Sequence, residues 1–250
     1  MSKTLYLYGL VDGFPRLPSM EGVRKSCLEA LVYQDITLVA SEIEDPKALN
    51  TDDAYVHAQV LAEIFTRHTV LPFRFGVVTP SCSAAMRLLR TNAGAIRDEF
   101  SRLAGKGEIG IKVFWKREAA RRQIQKEIQR YELLSSGVPA VTPEEQRQMA
   151  LEIGQMVESI VAGWKNDYLS VVARRLSEKA EDVRSGNLYG VQMLFNCSYL
   201  MDLKREPDFR RTTELLASKY DEVFEFKYSG PFPPYSFVEL ELSWEGEQDE

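Results

Sequence analysis

Residues Val70–Val78 read VLPFRFGVV and lie between two segments with helical periodicity, Thr51–His68 and Ser81–Leu103. If this stretch is one strand, its apolar side chains alternate with the others and share the face that packs on the core. The apolar side chains are Leu71, Phe73, Phe75 and Val77. On the other face, Gly76 would let a helix approach, and a buried Arg74 would need a carboxylate or carbonyl partner. The pattern therefore predicts a central strand between two helices.

The first half of the chain carries further strand and helix patterns. Thr4–Val11 is rich in Tyr, Leu and Val, which predicts a strand. Leu28–Tyr33 and Ile36–Ile43 predict a hairpin, although the first arm also fits a helical turn. The expected buried positions of the helix that follows are Val56, Ala58, Val60 and Ile64. This order of elements predicts an N-terminal α+β domain at residues 1–105.

Gly105 and Gly107 interrupt the chain after the second helix, and we place a domain boundary there. The elements predicted beyond it are a strand at Glu108–Trp115, a helix at Lys116–Leu134, a helical stretch from Thr142 to about Arg184 with a kink near Asn166, a strand or strand pair at Asn187–Asp202, a helix at Glu206–Tyr220, and strands at Val223–Tyr228 and Ser236–Trp244. This order is close to a βαββαβ ferredoxin-like sandwich with an elongated helical segment, at residues 106–244. Residues 245–250 form an acidic tail.

Composition and charge narrow the class of protein. The chain has 250 residues and a net charge of −6, and the tail EGEQDE supplies four of the negative charges. The remainder is close to neutral, which argues against a nucleic-acid or anionic-membrane partner. No apolar run approaches the ~20 residues that span a bilayer, and the N-terminus lacks a signal-peptide pattern. The scattered cysteines, Cys27, Cys82 and Cys197, fit a reducing cytoplasm without a disulfide framework.

The candidate catalytic and metal-ligating residues do not form a site. His57 and His68 would lie about 16 Å apart along one helix, too far to share a metal ion, so we expect surface or boundary histidines. Cys82 falls in the first turn of a predicted helix, where a thiol can be activated, but a cysteine enzyme would also need a histidine base, and a small residue that fills a helix start is the favoured explanation. We expect no enzyme, cofactor or metal. The alternatives are an RNA-binding module on a ferredoxin-like sheet and an enzyme that depends on Cys82.

Two segments carry a resemblance to a known family. LPFRFGVV at Leu71–Val78 and GPFPPYSFV at Gly230–Val238, in this order, resemble the signature segments of the GvpF/GvpL family of gas vesicle proteins. Phe232 stands where that family more often has Trp. The opening strand YLYGLV and the mid-chain EIGIKVFW are similar to its other recurrent blocks. The helix start TPSCSAA departs from the charged residues usual there, which puts a partner contact at that helix start in doubt.

The resemblance implies a two-domain protein with a modified ferredoxin-like C-terminal domain and no catalysis. It implies an accessory or minor structural protein that assists gas vesicle assembly in the cytoplasm. The implied partner is the main hydrophobic shell protein, with other gas vesicle accessory proteins as further candidates. The candidate contact residues are Leu71, Phe73, Arg74, Phe75, Gly76, Gly230, Pro231, Phe232, Pro233, Pro234 and Tyr235. Phe232 and Tyr235 could instead turn inward and lock the last strand, and the sequence leaves both readings open.

Overall fold

The computed structural model describes residues 4–132 and 142–243. Its contacts divide these residues into two compact units. Unit 1 takes residues 4–109, 200–204 and 230–243, and unit 2 takes the rest. The first crossing between units lies close to the boundary predicted at Gly105–Gly107, although Lys106 already begins a strand. The assignment of residues 106–244 to one domain stays a prediction, because the contacts group residues 230–243 with unit 1.

The α+β fold of unit 1 is confirmed. Its strands are β1 (Leu5–Asp12), β2 (Leu28–Tyr33), β3 (Ile36–Glu42), β4 (Val70–Pro72) and β5 (Val78–Thr79), and its helices are α1 (Thr51–Phe65) and α2 (Cys82–Leu103). The sheet order is β2-β3-β1-β4, with β5 also paired to β1, and β2 and β3 form the expected hairpin. Strand β1 is buried on both faces. Leu5, Leu7 and Leu10 join the core that includes α2, whereas Tyr6, Tyr8 and Val11 join the core that includes α1.

The expected continuous strand at Val70–Val78 is wrong. Strand β4 pairs with β1 as far as Pro72 opposite Gly9, and β5 resumes with Val78 opposite Tyr6. Five residues on one side therefore face two on the other, and residues 73–77 bulge outward. The N–H of Phe73 donates to the Tyr8 carbonyl at 2.9 Å and the N–H of Leu7 donates to the Val77 carbonyl at 2.9 Å, so both ends remain fixed to β1. We call residues 73–77 the excursion.

Three residues of the excursion have roles different from those that the alternating pattern predicted. Phe75 is 40% exposed and does not face the core, and Arg74 is exposed as well. A Cβ on Gly76 would meet nothing within 4 Å, so no helix packs there. Gly76 instead adopts a φ of +91°, a backbone conformation that side chains disfavour. Its glycine requirement therefore comes from the turn.

The C-terminal residues 236–243, which we call the strap, do not form the expected strand. They are tied to polar side chains of α2. The Glu99 carboxylate accepts the N–H of Glu239 at 2.7 Å, and the Asn92 amide both accepts from the N–H and donates to the carbonyl of Ser243, each at 3.0 Å. Phe237 is fully buried in the core between the sheet and α2. Side chains of α2 thus replace the strand partner that the strap lacks.

The second sheet has the predicted ferredoxin-like order. Its elements are β6 (Lys106–Trp115), α3 (Arg117–Glu132), α4 (Pro143–Trp164), a π-helical turn (Lys165–Leu169), α5 (Ser170–Ser177), β7 (Asp182–Ser185), β8 (Met193–Asp202), α6 (Glu206–Lys219) and β9 (Phe224–Phe232). The strands are arranged β7-β8-β6-β9, so the first and third strands of the βαββαβ unit are central. The kink predicted near Asn166 is confirmed as the π-helical turn.

The two largest boundary errors in this half concern the long helical stretch and the strand expected at Asn187–Asp202. The long helical stretch ends at Ser177 instead of Arg184, and β7 begins within its expected end. The strand expected at Asn187–Asp202 begins only at Met193, and no turn interrupts it. The predicted end of the helix at Leu134 and the acidic tail at 245–250 lie outside the described residues.

The burial of Phe237 gives a stability test. Phe237→Ala removes a fully buried ring and should lower the free energy of unfolding by about 3–5 kcal/mol. Phe232→Ala is the matched control, because the Phe232 side chain is 42% exposed, and it should cost less than about 1 kcal/mol. Chemical denaturation of both variants checks this. Equal losses would show that the strap is not anchored through Phe237.

Candidate functional site

The excursion and the strap line a common groove in unit 1 of about 360 Å³. Its lining residues are Leu10, Leu71, Pro72, Phe73, Arg74, Val77, Tyr235, Val238, Leu240 and Leu242. Leu71 to Val77 come from the first signature segment, and Tyr235 to Leu242 come from the second signature segment and the strap. The structure therefore brings together two segments that are far apart in the sequence. Of the predicted contact residues, Leu71, Phe73, Arg74 and Tyr235 line the groove.

Glu108 contacts the backbone of the segment Gly230–Tyr235 and of the residue after it. Gly230 has a φ of +109°, and a Cβ there would lie 2.6 Å from the Glu108 carbonyl oxygen, so only glycine fits. The Gly230–Pro231 peptide is cis. The Glu108 carboxylate, itself buried, accepts hydrogen bonds from the N–H and the hydroxyl of Ser236, each at 2.7 Å. The backbone of this segment is thereby fixed without help from its aromatic side chains.

The side chains of this segment divide between inward and outward positions. Pro233 and Pro234 are buried, whereas Phe232 and Tyr235 are 42% and 40% exposed. Burial of the Tyr235 hydroxyl, assisted by the nearby Glu108 carboxylate, raises the pKa of Tyr235 to about 12. Tyr235 is therefore a neutral hydrogen-bond donor at pH 7. Neither aromatic ring is a core residue, and this position at the surface leaves both available for contact.

His57 holds the excursion from the inside, and our expectation of a surface or boundary histidine was wrong. It is only 3% exposed. Its Nε2 lies 3.2 Å from the Phe73 carbonyl oxygen, which can only accept, so Nε2 carries the proton. Its Nδ1 then accepts from the Tyr6 hydroxyl at 2.8 Å. The His57 ring also stacks on Tyr8 with centroids 5.6 Å apart and meets Phe75 edge-on at 6.1 Å.

The sequence contains a signal for the burial of His57. The residues that α1 buries are Asp53, His57, Val60, Leu61 and Ile64. His57 is four residues from both Asp53 and Leu61, so it belongs to the buried stripe. Ala58, which we expected to be buried, is exposed. The predicted positions Val60 and Ile64 are buried, but the first part of the stripe was missed because a buried histidine and a buried carboxylate are not part of an apolar pattern.

The remaining candidate residues do not assemble. Cys82 is exposed at the start of α2, where Ser81 provides the N-terminal cap. Within residues 4–132 and 142–243 no group of three or more His, Cys, Asp or Glu side chains could hold a metal ion. In the same part of the chain, no helix is both long and apolar enough to cross a membrane.

Comparisons with known proteins give matches that cover nearly the whole chain. The family model described as "Gas vesicle synthesis protein GvpL/GvpF" matches residues 4–239. Gas vesicle protein F of Nostoc sp. is 26% identical over 247 residues, which cover 96% of this chain and 100% of the relative. Gas vesicle protein F of Dolichospermum flosaquae is 25% identical over 249 residues, with coverage of 96% and 100%.

Two crystal structures share the fold. That of GvpF from Anabaena sp. PCC7120 superposes with a TM-score of 0.75 at 24% identity and covers 96% of this chain and 98% of that one. That of GvpF from Microcystis aeruginosa gives a TM-score of 0.73 at 23% identity, with coverage of 96% and 100%. At this level of identity the likeness establishes the fold.

His57 should make the stability of unit 1 depend on pH. Burial lowers the pKa of His57 from 6.5 to about 4, against the weaker opposing effect of its bond to Phe73. Because the folded pKa lies below the unfolded one, the contribution is complete above pH 6.5 and is lost as the pH falls toward 4. The loss amounts to about 3 kcal/mol. Denaturant titrations from pH 7 to pH 4 measure it.

The control is His57→Gln, since a Gln amide can donate to the Phe73 carbonyl and accept from Tyr6 without titrating in this range. Carboxylates titrate in both proteins, so the difference between the two pH profiles isolates His57. Profiles that run parallel would show that His57 does not have the lowered pKa.

Gly230 should tolerate no side chain. Gly230→Ala combines an unfavourable φ with a Cβ 2.6 Å from a backbone oxygen and should cost about 1–3 kcal/mol. Gly94→Ala, on the exposed face of α2 with nothing within 4 Å, should instead stabilise by about 0.5–1 kcal/mol. Thermal melting of the two variants should move in opposite directions. A Gly230→Ala protein that melts with the parent would disprove the close approach.

Proposed function

Because the chain belongs to the GvpL/GvpF family of gas vesicle synthesis proteins, we propose that it assists vesicle assembly by holding the main hydrophobic shell protein in the groove. Membership of the family gives the chain a role connected with gas vesicles. In our proposal the protein is not an enzyme and needs no cofactor. It works in the cytoplasm at the growing vesicle, where other gas vesicle accessory proteins are further candidate partners.

The observation that carries the proposal is the groove itself. The two segments that resemble family signatures line one apolar concavity, and most of its side chains are hydrocarbon or aromatic. Apolar surface of this kind on a folded protein is typical of interaction sites. A very hydrophobic shell subunit would aggregate if left exposed in water before it joined the wall. A groove that covers part of its apolar surface would delay that aggregation.

The groove is suited to binding because its walls are already ordered. His57 fixes the excursion through the Phe73 carbonyl, and Glu108 fixes the segment before the strap through Ser236. The backbone of this protein therefore loses little additional entropy when a partner binds. The half-exposed rings of Phe75, Phe232 and Tyr235 are side chains of the type that supplies most of the energy in protein interfaces.

The double variant Phe232→Ala, Tyr235→Ala tests this function. Removal of Tyr235 from the groove wall, together with the exposed ring of Phe232 in the same segment, should weaken binding of the main shell protein by at least about 2 kcal/mol, or about 30-fold. The shell protein, fused to a solubilising carrier, can be titrated against each variant. Thermal melting of the same samples should show a loss far below the 3–5 kcal/mol expected for buried rings.

The matched control is Tyr55→Ala, because Tyr55 is an exposed aromatic residue on α1 that does not line the groove. It should bind the shell protein as the parent does. If the parent fails to bind, or if the double variant binds as tightly as the parent, the proposed function is wrong.

A further inference from the structure

The groove has few polar side chains, and those it has can donate hydrogen bonds. Eight of its ten lining residues, namely Leu10, Leu71, Pro72, Phe73, Val77, Val238, Leu240 and Leu242, have side chains without a polar atom. The other two are Arg74 and Tyr235. A guanidinium only donates hydrogen bonds, and the neutral Tyr235 hydroxyl has a proton to donate. The side chains of the groove therefore offer donors and no carboxylate or amide acceptor.

Arg74 differs from the other arginines of unit 1 that the structure places in ion pairs. Arg24 pairs with Asp53 at 3.1 Å, Arg97 pairs with Asp35, and Arg102 pairs with Glu99. Across residues 4–132 and 142–243, no hydrogen bond or ion pair engages the Arg74 side chain. The guanidinium is thus available to an external anion.

The backbone on both sides of Arg74 is fixed, although its side chain is unpaired. On one side the Phe73 carbonyl accepts from His57, and on the other the N–H of Gly76 points at the Tyr6 hydroxyl, 3.4 Å away. Tyr6 and His57 are both buried. The excursion therefore presents Arg74 from a defined position on the groove wall, which reduces the entropy lost when a ligand engages it.

The Tyr235 hydroxyl is also unengaged by the residues described. The nearby carboxylate that could accept from it, Glu108, already receives the N–H and hydroxyl of Ser236. Tyr235 is a second donor on the same groove, and no residue of 4–132 and 142–243 accepts from its hydroxyl.

We propose that the groove binds an apolar segment of its partner that carries a carboxylate, and that Arg74 and Tyr235 receive this carboxylate while the hydrocarbon walls receive the apolar side chains. The inference rests on the proposed function and specifies the chemistry of the partner. A wholly apolar segment would strip water from Arg74 without replacing its hydrogen bonds, which is costly. A carboxylate satisfies the guanidinium in a bidentate geometry, and a cationic segment is repelled.

A charge-swap experiment tests the pairing. The probe is the main shell protein fused to a solubilising carrier, with the carrier alone as a blank. Arg74→Glu should raise the dissociation constant at least about tenfold, because attraction becomes repulsion. Arg87→Glu makes the same change at an exposed arginine on α2 outside the groove and should stay within about twofold. Tyr235→Phe keeps the ring, removes the donor and should also weaken binding about tenfold.

Rescue distinguishes a direct pair from a structural effect. Each Asp and Glu of the shell protein is replaced by Lys in turn, and one of these variants should restore binding to Arg74→Glu while losing affinity for the parent. Melting temperatures of all variants are measured alongside. If Arg74→Glu unfolds, Arg74→Gln takes its place and should bind the shell protein more weakly than the parent does. Neutralisation of the paired carboxylate of the shell protein should weaken its binding to the parent, whereas neutralisation of its other carboxylates should not.

The outcomes test the inference separately from the proposed function on which it rests. If the parent binds the shell protein and Arg74→Glu binds equally well, the carboxylate inference is overturned while the proposed function stands. If Arg74→Glu loses binding and no Asp→Lys or Glu→Lys variant of the shell protein restores it, the inference is overturned as well. If the parent does not bind the shell protein, both are overturned.

Discussion

Unit 1 depends on the contact between Phe237 and the core beneath α2. This buried ring anchors the strap, and the hydrogen bonds from Asn92 and Glu99 then hold the backbone of the strap along the helix. Burial alone would raise the pKa of Glu99, but the hydrogen bonds from Arg102 and from the backbone of Glu239 lower it, so the carboxylate is charged and suited to this role. A segment near the C-terminus thereby becomes a wall of a site whose other wall begins at Leu71.

The groove follows from two local departures from regular structure. The excursion arises because β4 and β5 pair with β1 on either side of five residues that face only two on β1, and His57 supports it from α1. The strap follows β9, near whose end Gly230 has a φ of +109° and approaches Glu108 too closely for a side chain. Neither departure alone makes a concave surface. Together they form the groove that residues of both signature segments line.

Much of the fold followed from periodicity. The strand predicted at Glu108–Trp115 is present as β6, and the order of elements predicted the ferredoxin-like sheet. The excursion could not be predicted, because the alternation of Phe73 and Phe75 continues through residues whose backbone leaves the sheet. The strand expected at Ser236–Trp244 is absent for the same reason, since Val238, Leu240 and Leu242 alternate while the N–H groups of Glu239 and Ser243 donate to side chains of α2. The site therefore lies where local pattern and tertiary hydrogen bonding disagree.

The central claim is that this groove is where the shell protein meets the chain, and site-specific photo-crosslinking during vesicle assembly tests it most directly. A photoreactive phenylalanine analogue at position 235 lies on the groove wall, and one at position 55 lies on an exposed part of α1. The account predicts a cross-link to the main shell protein from position 235 and none from position 55. A cross-link from position 55 with none from position 235 would contradict it.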